Sequence, residues 1–403
     1  MTRIPNVARA AINVAGVGFR RAARHGRTAA HVLDRLRRKA RKQAELLSHA
    51  PALARARVQR GRAALERSRK RLERFDDHVL TPYRAERRVS RALARASASR
   101  PLLVGPWTSE VGYEALYWVP FLRWAVDRHG VGPERVLVVS RGGTEPWYRG
   151  IAERYVDIFD LMDVDEFARQ MAARRERGDQ KQMTASPLDL ELVRRAAERA
   201  GVSDAVVWHP GLMYQLFRAF WHGDRSLDFL LRHTDFRAMP PAGATVPLIG
   251  DGPALPAEYA AVKFYTGPAL PDTAANRATV YEAVRRLAAR MPVVMLDTAW
   301  SIDEHRDYDC DGIPGVTTIR PSLDPRTNLG VQTSVIAGAR QFLGTCGGLA
   351  WLAPLLGVET LAVYDDDRYL AAHLYAARYV YRRSNAARFA TLNIRALAGV
   401  TGV

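Results

Sequence analysis

The residues Thr345-Cys346-Gly347-Gly348 stand between a short apolar run, Gln341–Leu343, and a helical stretch that Gly357 closes. A strand, a glycine turn and a helix start in that order gather backbone N–H groups at one point, where the helix dipole also favours negative charge. The result is an anion site of diphosphate size. Gly347 and Gly348 let a ligand come close to the backbone, and the Thr345 hydroxyl adds a donor. Cys346 reads as a small packing residue of the turn, since no nearby histidine marks it as a thiolate. A tight strand–helix crossing with no ligand would use the same small residues.

Two carboxylates suit proton transfer. Glu110 lies in a loop that the strand Leu102–Val104 feeds, and Gly112 leaves room around it; it is the first choice for a general base, with Glu114 behind it. Stabilising the first turn of the following helix is the plainer use of either one. Lys263 and Tyr265 leave an apolar strand, where a lysine invites a phosphate or snorkels at the sheet end. Arg141 with Gly142 could cradle a second anion, on an acceptor. Asp297 ends the strand VVMLD and could meet a ribose or base. Asn328 bonds a nucleotide or starts a helix. His209, at a strand end, is an alternative base on the acceptor side or a structural histidine. His305 sits in a charged loop and reads as surface. Asp365-Asp366-Asp367 reads as a solvated loop, and neither a metal nor a resident cofactor is expected.

The elements that would position these groups alternate. Leu102–Val104, Arg135–Ser140, Val156–Met162 and Ala205–His209 are read as strands, separated by the helices Ala115–Arg128 and Leu188–Ala200. Gly211–Phe236 is aromatic-rich and read as helical. Pro240–Pro256 holds five prolines and three glycines, the density of a linker. A second series follows, with strands at Ala260–Tyr265, Val293–Asp297, Val316–Ile319, Gln341–Leu343 and Thr360–Tyr364. Its helices are Ala274–Arg290 and Asn328–Ala339. Continuous apolar strands between amphipathic helices predict parallel sheets covered on both faces, with ligands at the carboxyl ends of the strands. The tail Ala371–Val403 reads as helical, packing back across the first domain. The predicted divisions are a basic helical arm (1–100), an acceptor domain (101–245), a donor domain (246–375) and a helical tail (376–403).

The charge is uneven. Residues 1–100 hold 27 Lys and Arg against 7 Asp and Glu, whereas the other 303 residues hold 33 against 35. Helix-favouring composition with a thin apolar stripe leaves three uses for the arm: an anionic membrane surface, nucleic-acid phosphates, or a solvated spacer for assembly. Isolated aromatics argue against single-strand binding. Two cysteines, Cys310 and Cys346, exclude a disulfide framework and suggest a reducing compartment. No window has the ~18 apolar residues of a membrane span. Ala10–Phe19 reads as a helix face rather than a signal peptide.

Two α/β units, a Pro-rich linker and a glycine turn late in the second unit together resemble the GT-B glycosyltransferases. The segment FLGTCGGLAWLAPLLGVETLAVYDD is similar to the nucleotide-sugar half of heptosyltransferase-type and related bacterial cell-envelope enzymes, and GPWTSEVGYEALYWVPFLRW to the opening of proteins grouped with them. The resemblance spans about residues 101–375. It implies two Rossmann-like doubly wound domains, a nucleotide-sugar co-substrate at the late turn, a saccharide or lipid-linked acceptor on the first domain, and chemistry in the cleft between the two. The basic helical arm, read as binding an anionic membrane surface, would hold such an enzyme on the cytoplasmic, inner face of a membrane. The heptosyltransferase acceptor motif is not matched, so neither the sugar nor the base carries over. A non-catalytic nucleotide-binding or scaffolding protein is the alternative. A dinucleotide oxidoreductase is disfavoured by the lack of a GxGxxG turn.

Overall fold

The computed structural model describes residues 100–178, 181–239, 254–298, 305–384 and 387–395, together with 73–96 and short pieces before them (34–35, 37–39, 65–66 and 68–71). Most of the basic arm and of the Pro-rich linker lies outside the described residues. The chain divides into two compact units, Met1–Asp77 and His78–Val403, and both sheets belong to the second.

The first sheet contains β1 (Leu102–Val104), β2 (Val136–Ser140), β3 (Arg154–Asp157) and β4 (Val206–Trp208), in the order β3-β2-β1-β4. The second contains β5 (Ala260–Lys263), β6 (Val293–Met295), β7 (Val316–Thr318), β8 (Gln341–Thr345), β9 (Glu359–Tyr364) and β10 (Phe389–Asn393), in the order β10-β9-β8-β5-β6-β7. All pairings are parallel. Counted from β5, the second sheet follows the Rossmann order 3-2-1-4-5-6, and the first follows its opening 3-2-1-4. Parallel pairing needs a crossover and a cover on both faces, which is why the central strands β1, β2 and β6 are buried at every residue. The sheets define two lobes.

The core runs from one lobe into the other. A single apolar cluster joins Val104, Trp118 and Trp208 of the first lobe to Ala261, Leu352 and Ala362 of the second. A fully buried valine or leucine in this cluster contributes about 1.5–3 kcal/mol. Three features depart from the sequence reading. The helix Thr81–Leu93, expected within the arm, buries Val89 and Leu93 in this same cluster. The third strand stops at Asp157, whose carboxylate accepts the Phe159 N–H (3.0 Å) and turns the chain into a 3-10 turn, Ile158–Asp160. In the tail, the helix Ala371–Arg383 gives way to strand β10, which pairs with β9 where helix was expected.

Candidate active site

In both sheets the strand order reverses beside the first strand, between β1 and β4 in one and between β5 and β8 in the other, and a crevice opens at such points at the carboxyl ends. A single cavity of about 540 Å³ occupies this place and is lined from both lobes. Its volume lies in the range of small-molecule sites.

The loop after β1 carries Glu110 to the cavity and is held from several sides. The Thr108 N–H donates to Gln182 Oε1 (3.0 Å), Arg174 donates to Thr108 Oγ1 (2.8 Å), and Arg141 Nη2 donates to the Ser109 carbonyl (2.7 Å). Ser109 Oγ lies 2.7 Å from Tyr214 Oη. Beneath them Asp189, fully buried, accepts from Gln182 Nε2 (3.0 Å) and from the Ser186 N–H (2.8 Å), in a capping box that starts the helix Pro187–Arg199. Burial pushes the Asp189 carboxyl up, but His209, the Ser186 amide and Arg174 outweigh it and hold it below its ordinary value. Glu110 takes the N-cap position of the helical run that follows, yet its side chain makes no cap hydrogen bond and lines the cavity instead. The run passes through Val111–Tyr113, a π-helical turn Glu114–Trp118, and Val119–His129.

Opposite stands the glycine turn. Gly347 has φ +131°, a conformation that strains any other residue, and a Cβ there would fall 2.6 Å from Tyr265 Oη. No side chain caps Gly348–Leu352, and Gly347, Gly348 and Leu349 line the cavity. The helical part is short, five residues and then a 3-10 turn, so the amides contribute more here than a macrodipole does. First-lobe and second-lobe backbones nearly touch: a Cβ on Gly112 would sit 2.9 Å from Gly348 N. Only glycine permits that approach, and it sets Glu110 beside the turn.

Lys263 lines the cavity, donating to the Leu296 carbonyl (2.7 Å) and pairing with Asp307 (2.7 Å). An ammonium has three donors, so one more remains for a ligand. Tyr265, Asn328, Cys346, Arg141 and Gly142 also line it. Asn328 opens its helix as the first residue rather than as its cap, and accepts from Gln332 Nε2 (2.5 Å). Burial pushes the Cys346 thiol up, consistent with a packing role.

Four expected site residues lie outside the cavity lining. The Thr345 hydroxyl is engaged by backbone: it accepts from the Tyr265 N–H and donates to the Tyr265 carbonyl (both 2.9 Å), tying β8 to the end of β5 across the switch point. Asp297 is buried against Arg320 and Thr318. His209 accepts the Gly211 N–H at Nδ1 (3.0 Å) and sets Nε2 3.4 Å from Asp189. Glu114 is fully buried behind the loop, accepting from Ser140 Oγ (2.6 Å) and Tyr148 Oη (2.5 Å); burial lifts its carboxyl to about 7. Of the aspartate run, Asp365 pairs with Arg395 and Asp366 with Arg368. Among the described residues no group of three or more His, Cys, Asp or Glu is placed to hold a metal.

Several lining residues escaped the sequence reading: Tyr113, Tyr117, Lys181, Trp221, Asp307, Arg368 and His373. Tyr113 and Tyr117 were inside a quoted segment, but His373 carried no local signal, because its partners lie 256 and 260 residues away. Four cationic side chains (Arg141, Lys181, Lys263, Arg368) face two carboxylates (Glu110, Asp307) in the lining, so the cavity favours an anion.

The fold is GT-B-like: two Rossmann-like lobes whose strand ends meet across one cleft. No protein-family model and no curated protein matches the chain. Among solved structures it is similar to a glycosyl transferase family 9 protein from Veillonella parvula, at 12% identity over 75% of this chain and 89% of that one, TM-score 0.40. It is similar also to E. coli heptosyltransferase WaaC with ADP (15%, 75% and 99%, TM-score 0.39) and to E. coli ADP-heptose lps heptosyltransferase II (12%, 72% and 89%, TM-score 0.37). No residue-level correspondence follows from similarity of this degree.

Proposed function

We propose that this chain is a glycosyltransferase that moves a sugar from a nucleotide-sugar donor to a cell-envelope polysaccharide or lipid-linked acceptor, without a bound metal, at the cytoplasmic face of a membrane. One observation carries the reading: Glu110 of the first lobe and the Gly347–Gly348 turn with Lys263 of the second meet in one cavity. The donor diphosphate would lie on the turn amides and Lys263, and the acceptor against the first lobe. Glu110 takes the proton of the acceptor hydroxyl as its oxygen bonds to the anomeric carbon. The bond to the diphosphate breaks, and amides and cations already in place receive the charge that leaves with it. The excess of cations in the lining supports this reading. So does the donor that Lys263 keeps after binding Leu296 and Asp307.

A thermal-shift series with ADP, UDP, GDP and CDP tests the binding half, and release of the nucleoside diphosphate from the matching nucleotide-sugars tests the chemistry. At least one nucleoside diphosphate is expected to raise Tm. Glu110→Gln should keep that shift and slow transfer by about a hundredfold or more. Lys263→Ala should weaken nucleotide binding. If both variants transfer sugar like the parent protein, the assignment is wrong.

A further inference from the structure

Tyr113 and a histidine from the other lobe form a hydrogen-bonded chain across the cleft. Tyr113 stands three residues after Glu110 and lines the cavity. His373, near the start of the helix Ala371–Arg383, places Nε2 3.1 Å from Tyr113 Oη and Nδ1 2.6 Å from Tyr117 Oη. Burial, and after it the charge of Lys181, lowers the imidazole to about 4, so the ring is neutral and has one N–H and one lone pair.

Hydrogen-bond accounting decides which nitrogen holds which. Tyr117 is 1% exposed, and among the described residues His373 Nδ1 is the acceptor its hydroxyl reaches, since the neighbouring Trp221 indole can only donate. A buried hydroxyl hydrogen requires an acceptor, so Tyr117 donates to Nδ1. Nε2 then carries the proton and gives it to Tyr113 Oη. Because that oxygen accepts from the imidazole, the hydrogen of Tyr113 is left to face the cavity. The reverse tautomer would strand the hydrogen of Tyr117 in the core. Gly112 brings this corner to the turn, since its Cβ position lies 2.9 Å from Gly348 N. A group attached to a diphosphate on that turn shares the cavity with Tyr113.

We propose that the Tyr113 hydroxyl donates a hydrogen bond to an oxygen of the sugar moiety of the bound nucleotide-sugar, and that His373 is the positioning residue that aims it. This rests on the nucleotide-sugar reading above. Because His373 belongs to the second lobe, the tyrosine is aimed only where the two lobes meet.

Two measurements on the full chain test it separately from the parent reading. Nitrogen-15 NMR of His373 in the ligand-free protein reads the tautomer: a protonated Nε2 and a bare Nδ1 are expected, and a protonated Nδ1 overturns the inference whatever binds. Calorimetry with ADP, UDP and GDP against ADP-glucose, UDP-glucose and GDP-mannose reads the sugar contact. Tyr113→Phe and His373→Leu should each weaken the sugar-bearing ligand about tenfold and leave the bare diphosphate unchanged. The double variant should lose no more than Tyr113→Phe alone. His373→Gln, whose amide keeps an N–H at the place of Nε2, should recover most of the loss. Equal losses for bare and sugar-bearing ligands, or additive losses in the double variant, would mark a packing role and overturn the inference. If wild type binds the bare diphosphates but gains nothing from the sugar, the inference falls and the nucleotide reading stands. If it binds none of the six, the inference falls, and if CDP fails in the thermal-shift series as well, the nucleotide reading falls with it.

Discussion

Glu114 lies four residues beyond Glu110 on the same helical run, and the two carboxylates meet different surroundings. Glu110 faces the cavity; Glu114 faces Ser140 and Tyr148 in a fully buried pocket. Burial raises the Glu114 carboxyl from 4.5 to about 7, with both donors pulling the other way. Between those values the folded protein holds a proton that the unfolded chain has released. The stability from this group is therefore complete below about pH 4.5 and is lost as pH rises through 7, by up to about 3 kcal/mol. Glu114→Gln should flatten the fall in urea midpoint between pH 5 and 7. A residual slope should remain from Asp157, which burial also raises. Transfer should persist in this variant. Loss of transfer with an unchanged pH–stability curve would exchange the roles of the two carboxylates. Sequence separated the two by placement alone, and the structure puts Glu110 in the cavity lining and Glu114 inside the lobe, because a loop residue after a strand end reaches a cleft and one further turn of helix points back into the lobe. It gave no hint of Ser140 and Tyr148 as the donors.

Elements were legible where apolar runs were continuous. β1, β2, β5 and β6 sit near their expected places because strands buried on both faces read as nearly unbroken hydrophobic stretches. β10 was not legible: Phe389–Asn393 is only partly buried, follows an alanine-rich helix, and becomes a strand by pairing with β9. The helix Pro187–Arg199 was foreseen, but its service to the site was not. Its capping box leaves Asp189 buried against Arg174, whose side chain is 4% exposed, at 3.6 Å. Arg174 and Gln182 in turn hold Thr108 in the loop that carries Glu110. Asp189→Asn should remove one charge of a buried ion pair with Arg174 and lower stability by roughly 3–5 kcal/mol in urea unfolding. Any folded fraction should transfer sugar more slowly, as the Glu110 loop loosens. A stability loss under about 1 kcal/mol would mean that Arg174 reaches water and that this anchor is weaker than its geometry implies.

At the scale of the whole chain, composition divides the molecule almost where packing does. Residues 1–77 hold 21 Lys and Arg against 6 Asp and Glu, and the compact unit with both sheets begins at His78. The predicted boundary after residue 100 lies later because the helix Thr81–Leu93 is basic outside, with Arg84, Arg87, Arg88 and Arg91 exposed, and apolar inside. Composition registers the arginines, and packing registers Val89 and Leu93. Among the described residues no helix is long and apolar enough to cross a membrane. With 21 Lys and Arg against 6 Asp and Glu, the arm would be held at an anionic membrane surface by charge. Each Lys or Arg near an anionic surface contributes about 1 kcal/mol, within a Debye length of about 8 Å at physiological salt. Deleting residues 1–77, which spares Val89 and Leu93, should keep the unfolding transition and nucleotide binding. It should abolish cosedimentation with phosphatidylserine vesicles, and the full chain should lose the same binding as salt rises from 0.05 to about 0.5 M. Vesicle binding that survives the deletion would move the attachment to the arginine face of the Thr81–Leu93 helix. Binding indifferent to salt in the full chain would remove the electrostatic account altogether.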